Sequence, residues 1–157
     1  SGLLVYAKTI EAEQILEHNW QRIVRDRRYV AVLSGVLETP GGTVRNWLKD
    51  NKAYVTYSSP TDNGGKFAVT HFRTLKHSET HTLAEFKLET GRKNQIRVHA
   101  QDLGHPVCGD TKYGNGDNPI GRLCLHAYRL DFYHPITGEL LHFETPYPKS
   151  FLSVLQK

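Results

Sequence analysis

Residues 89–100 read ETGRKNQIRVHA and set three cations, Arg92, Lys93 and Arg97, around Gly91. Just before them, Ala84, Phe86 and Leu88 alternate with Glu85 and Lys87, the period-two pattern of a half-buried strand. Just after, Ile96, Ala100 and Leu103 recur at helical spacing, and Gly104 followed by Pro106 stops the helix. The cations therefore lie at a strand-to-helix junction. Gly91 is expected to free the backbone there, and unpaired amides of the first helical turn are expected to draw an anion.

Working outward, residues 67–75 pair naturally with 82–88 as a hairpin through the polar turn 77–80, and residues 58–66 (SSPTDNGGK) form a loop. Ala53–Tyr57 is a candidate strand, whereas 40–51 reads as turn-rich and polar apart from Val44, Trp47 and Leu48. RRYVAVLSG makes a strand that Gly35 ends. Leu3–Tyr6 is apolar without a break, as expected inside a sheet. Thr9 caps a helix through Ile15 and Leu16, with Glu11 and Glu13 in its first turn, and the helical signal fades at 18–20.

On the far side, 109–119 (GDTKYGNGDNP) is an irregular loop long enough for a substrate role. A second hairpin flanks the PITG turn, and a short FLSVL segment follows it. No repeat or low-complexity tract interrupts the pattern. The expected fold is α+β: a single domain with a mixed, mainly antiparallel sheet and two or three helices.

A length of 157 residues suits one domain, and 38% hydrophobic with 23% charged residues describes a soluble globular chain. No apolar run spans a bilayer and no signal pattern opens the chain, so a cytoplasmic location and no membrane partner are expected. A net charge of +4 suits a polyanionic partner without requiring one. Cys108 and Cys124 lack zinc-site spacing and read as reduced thiols; none of the nine histidines falls in a metal motif, so no metal is expected.

Thr90–Gly114, of the form TGRxxQIRVHxxxxGHPVxGDxxYG, resembles the C-terminal motif of the RNA pseudouridine synthases of the large bacterial ribosomal and transfer RNA class. SGLLVYAKT at the start, RRYVAVLSG, GGKFAVTHFRTL and LCLHAYRLDFYHPITGE also match family blocks, in family order. The resemblance implies an isomerase that needs no cofactor. It breaks the bond from ribose to N1 of uracil, turns the base and rejoins it through C5, on structured RNA, ribosomal or transfer.

In that family an Asp within HRLDxxTSG starts the chemistry. Ser1 and Gly2 match the final SG, which sets the Asp four residues before Ser1, outside this sequence. Either the sequence is cut within the motif or the match is chance; the following LLVYAK favours the cut. Residues 1–157 are thus expected to be a catalytic domain lacking its N-terminal part and inactive alone. The missing strands would bare a sheet edge, which implies marginal stability or a homodimer through that edge.

The resemblance also assigns roles. Arg97 would hold the catalytic carboxylate, as the planar fork of an arginine suits. Tyr29 would lie against the flipped uracil, Leu125 would wall the pocket, and Arg92 would touch a phosphate or brace the site. Gln95 would shape the junction by hydrogen bonding. Asn94 stands where many relatives have His and would replace part of its function. Without the family, Arg97 reads as a solvated helix residue and Tyr29 as core packing. Asp102 and Asp110 are read as solvated or turn-capping, and Arg25, Arg27, Arg28, Lys112 and Arg122 as cations around the pocket mouth that steer RNA. A non-catalytic RNA-binding module of the same fold is the alternative; a carboxylate-dependent hydrolase would need an acid pair that no motif supplies.

Overall fold

The computed structural model describes residues 1–156. Seven strands form one sheet: β1 (Val24–Ser34), β2 (Gly41–Asp50), β3 (Thr56–Ser59), β4 (Lys66–His77), β5 (His81–Leu88), β6 (Leu125–Tyr133) and β7 (Leu140–Glu144). Their order across it is β3-β2-β4-β5-β1-β6-β7. Every pairing between these strands is antiparallel, and a parallel contact occurs at a single bridge from Gly2 to Ala127. Three helices complete the α+β domain: α1 (Ile10–Ile23), α2 (Gln95–Asp102) and α3 (Lys149–Val154).

β1 lies inside the sheet, paired with β5 on one side and β6 on the other, which is why Val30–Leu33 are apolar without interruption and fully buried. Around them lie Leu83, Ala84 and Phe86 of β5, Ile96 and Ala100 of α2, and Phe151 and Val154 of α3. Removing these side chains from water is the main force assembling the layers.

Four local expectations change. Residues 41–50 form a full strand, not turns. The inward positions are 44, 46 and 48, and the middle one is Asn46, so the alternation is broken by a polar residue that is nonetheless buried. Helix α1 continues to Ile23 because Leu16, Trp20 and Ile23 keep helical spacing, with the Trp20 ring 5.7 Å from that of Phe132. The Leu3–Tyr6 run is no inner strand: Leu4 and Tyr6 are exposed, and only the Ser1–Leu3 backbone bonds along β6, through Leu3 N to Ala127 O (2.9 Å) and Ala127 N to Ser1 O (2.9 Å). The candidate strand at 53–57 begins only at Thr56. The outer strands, β3 and β7, have four and five residues; a second copy expected at a bare edge has only these short strands to use.

Asn46 is satisfied by α2. Its Oδ1 lies 2.7 Å from Nε2 of His99, whose Nδ1 is 2.7 Å from Thr70 Oγ1, and its Nδ2 donates to Asp102 (3.0 Å). His99 is fully buried, and burial lowers its pKa to about 4, with Asp102 opposing weakly. The folded chain thus takes up the His99 proton at lower pH than the unfolded chain. Stability from this group is complete above the unfolded value near 6.5 and falls as pH drops toward about 4, by about 3 kcal/mol. Urea midpoints measured between pH 7 and pH 4 should show this loss, and His99→Gln should flatten the 6.5-to-4 part of the curve.

Candidate active site

Strand register places three apolar-bodied residues together. Tyr29 of β1 faces Phe86 on one side and Ala127 on the other, and Ala31, two residues on, faces Leu125. With a period of two, Tyr29, Leu125 and Leu88 fall on one face of the sheet. The β1–β6 register slips between Arg28 and Tyr29, a bulge of the kind that re-aims a side chain. Burial raises the Tyr29 phenol above its ordinary pKa, against the pull of nearby Arg27, so the ring presents a neutral face.

The strand-to-helix junction closes over that face. Gln95, 2% exposed, ties it down: its Oε1 accepts from Thr90 Oγ1 (2.8 Å) and Arg92 N (3.0 Å), and its Nε2 donates to Val69 O (3.0 Å) and Thr70 Oγ1 (2.8 Å). That commits the amide to the protein and gives Gln95 a bracing geometry at the junction. Asn94 precedes α2 with φ of 58°, a left-handed conformation that Asn tolerates better than most residues. Gly91 has no positive φ. Its lack of a side chain matters for space, since a Cβ there would lie 2.2 Å from the Arg27 guanidinium.

Tyr29, Arg92, Asn94, Gln95, Arg97 and Leu125 all line one cavity of about 190 Å³, with Leu88 and Ile96. No carboxylate lines it among the described residues. Arg97 is nevertheless paired. Its Nε and one Nη each donate to a different oxygen of Asp110 at 2.8 Å, and its other Nη donates to Asn94 Oδ1 (3.3 Å). The guanidinium lies 5.1 Å over the Tyr113 ring, whose hydroxyl accepts from Thr56 N (2.9 Å) and Asn94 Nδ2 (3.3 Å). Three of the five N–H donors of Arg97 are used, and its side chain keeps 23% exposure for the rest.

Asp110 is the residue that the reading of the sequence underrated. It is not solvated: its carboxylate is fully buried, and it also accepts from Lys112 N (3.0 Å) and Tyr113 N (2.9 Å). Burial works to raise its pKa, but the Arg97 hydrogen bonds and these two amides outweigh it and hold the group below the ordinary carboxylate range. The same contact raises the Arg97 pKa. With both oxygens engaged, Asp110 orients the arginine and has no lone pair aimed at a substrate. The signal for it was the GD of the quoted GHPVxGDxxYG motif. Asp102, at the far end of α2, accepts instead from Asn46 and Ser58.

The five cations expected to ring the mouth do not line this cavity. Arg27 is 8% exposed, donating toward Gln21 Oε1 and Glu89 O, and burial lowers its pKa. Arg28 pairs with Asp26 and Glu85. Lys112 reaches Tyr54 O, and Arg122 reaches Ser1 Oγ and lies over Phe151. Most of these partners lie far away along the chain, where the charge count could not show them. Arg92 is the cation that reaches the cavity beside Arg97.

The chain is 39% identical over 150 residues to the Bacillus subtilis protein named uncharacterized RNA pseudouridine synthase YhcT, covering 94% of this chain and 49% of that protein. It is 40% identical over 174 residues to ribosomal large subunit pseudouridine synthase D of Neisseria meningitidis serogroup B, covering 99% of this chain and 44% of the other. The chain spans about half the length of the curated relatives it matches. Among solved structures, human RNA pseudouridylate synthase domain containing 1 superposes with a TM-score of 0.71 at 27% identity, over 87% of this chain and 58% of that one. A family model described as RNA pseudouridylate synthase matches residues 1–102, a span that holds both Tyr29 and Arg97. The family match and these relatives together show that the chain belongs to the RNA pseudouridylate synthase family.

Proposed function

We propose that this chain is the larger part of the catalytic domain of an enzyme that isomerises uridine to pseudouridine in structured RNA, ribosomal or transfer. The observation that carries the reading is the cavity in which a half-buried tyrosine, an oriented arginine and an apolar wall converge. A uracil taken out of its stack needs a flat partner, which Tyr29 offers, and Leu125 excludes water beside it. An ionised acid brought into this space needs a cation, because burial alone would neutralise it. Arg97 keeps two N–H donors for such a carboxylate after Asp110 and Asn94 take three.

That acid comes from a segment before Ser1, as the HRLD motif of the family implies. The lining of the cavity, which includes no Asp or Glu, supports this division. The chain of residues 1–157 alone is therefore expected to form no pseudouridine above background on a uridine-containing RNA, measured by nucleoside mass spectrometry. The same chain preceded by the parent's own HRLD segment should turn over, and should stop when that Asp is changed to Asn. The same lack of a cavity acid supports a second reading, an RNA-binding module without chemistry; inactivity of the extended chain would favour it. No step calls for a metal or cofactor, and the chemistry fits an enzyme of the cytoplasm, where RNA is made and folded.

A further inference from the structure

A base held in a cavity of about 190 Å³ leaves its ribose and the neighbouring phosphates outside, so the strand must continue along the surface next to the mouth. Arg92 marks where. It lines the cavity and also a separate open groove of about 560 Å³ on the opposite side of the junction. Lys49, Lys66 and Lys93 line that groove, all exposed, and its wall is opened by Gly64 and Gly65. A Cβ on Gly65 would lie 2.3 Å from Leu48 O, so a glycine there keeps the β2–β4 edge low.

The lysines are only lightly held. Lys49 donates to Asn63 O (3.2 Å), Lys93 to Asp50 (3.1 Å), and Lys66 has no side-chain partner among the described residues. Beside the groove, Tyr54 is 72% exposed with φ of 59°, an uncommon backbone conformation for a tyrosine, and Lys93 Nζ is 6.0 Å from the centre of its ring. Cations along a groove with an exposed aromatic at its rim are the pattern that follows an unpaired strand, phosphates on the charges and a base on the ring.

We infer that the Lys49–Lys66–Lys93 groove binds the phosphates of an unpaired RNA segment adjoining the target uridine. This rests on the uridine reading of the cavity, but it is tested on the chain as it stands, without catalysis. Asp50 is part of the device: it accepts from Thr56 Oγ1 (2.7 Å) and partly neutralises Lys93, moderating the attraction.

The experiment is a fluorescence-anisotropy titration of the 157-residue chain with a uridine-containing RNA hairpin across a salt series. Replacing Lys49, Lys66 and Lys93 together by alanine should lower the magnitude of the slope of log K against log salt by about 2, since each phosphate contact on a single strand contributes about 0.7. A control with Lys8, Lys76 and Lys149 changed to alanine removes the same charge outside the groove and should leave the slope near that of the parent. Asp50→Asn should tighten binding by a factor of about 2–5 at low salt. Equal slopes for the two triple variants, with their circular dichroism and urea midpoints matching the parent, would overturn the groove while leaving the cavity reading intact. No binding by the parent chain at low salt would likewise overturn the groove, whereas the cavity reading stands or falls separately with turnover by the extended chain.

Discussion

Asp110→Ala should destabilise the chain by about 3–5 kcal/mol, read as a shift of the urea midpoint at pH 7. The carboxylate is fully buried, and its loss strands the Arg97 guanidinium, which retains only partial access to water. It also removes the acceptor for two backbone amides, of which Tyr113 N is buried. Asp110→Asn keeps an oxygen for those amides and loses only the charge pair, so its cost should be smaller by about 1–2 kcal/mol. The pH dependence has a fixed sign. Because the folded-state pKa of Asp110 is depressed, its contribution is complete above the unfolded value near 3.9 and disappears as pH falls through the folded one. The parent should therefore lose stability in that acid window, below the one set by His99, and the Asn variant should not show this second loss. If both variants melt with the parent, the ion pair does not hold the 109–119 loop to α2.

Arg97→Lys, in a polypeptide that also carries the family acid, should lower kcat for pseudouridine formation by about 10²–10³ with little change in KM. A lysine keeps the positive charge but is a point charge on a flexible stem, with three donors and no planar fork. It can satisfy Asp110 or an incoming carboxylate, and it cannot hold both on separate edges as the guanidinium is placed to do. Since Asp110 remains charge-paired, the urea midpoint should fall much less than in Asp110→Ala. That separation distinguishes a role in catalysis from one in folding. Activity within a few-fold of the parent would remove Arg97 from the chemistry.

Much of this molecule was written in local pattern. Alternation located β4, β5 and the β6–β7 hairpin, helical spacing and Gly104 located α2, and Thr9 marked the start of α1, whose cap accepts from Ala12 N. These signals are legible because they depend only on neighbours two to four residues apart. The candidate site was legible for a different reason: Tyr29, Arg92, Asn94, Gln95, Arg97 and Leu125 sit in motifs resembling a known family, and no periodicity would have grouped them.

What the chain alone could not display is partnership across distance. Asn46 broke the pattern of β2 because its partners, His99 and Asp102, lie more than fifty residues on. Asp110 caps the turn after it, as its sequence context suggested, but only the fold sets it 2.8 Å from Arg97. Arg27 and Arg28 looked like surface charges until Gln21, Asp26 and Glu85 were found beside them. Sequence thus determined where strands and helices run and which residues carry chemical capacity, whereas tertiary structure decided which capacities are already spent. The reason is physical: propensity and amphipathic period are set by the local chain, but whether a charge or amide is free depends on what the whole fold buries against it.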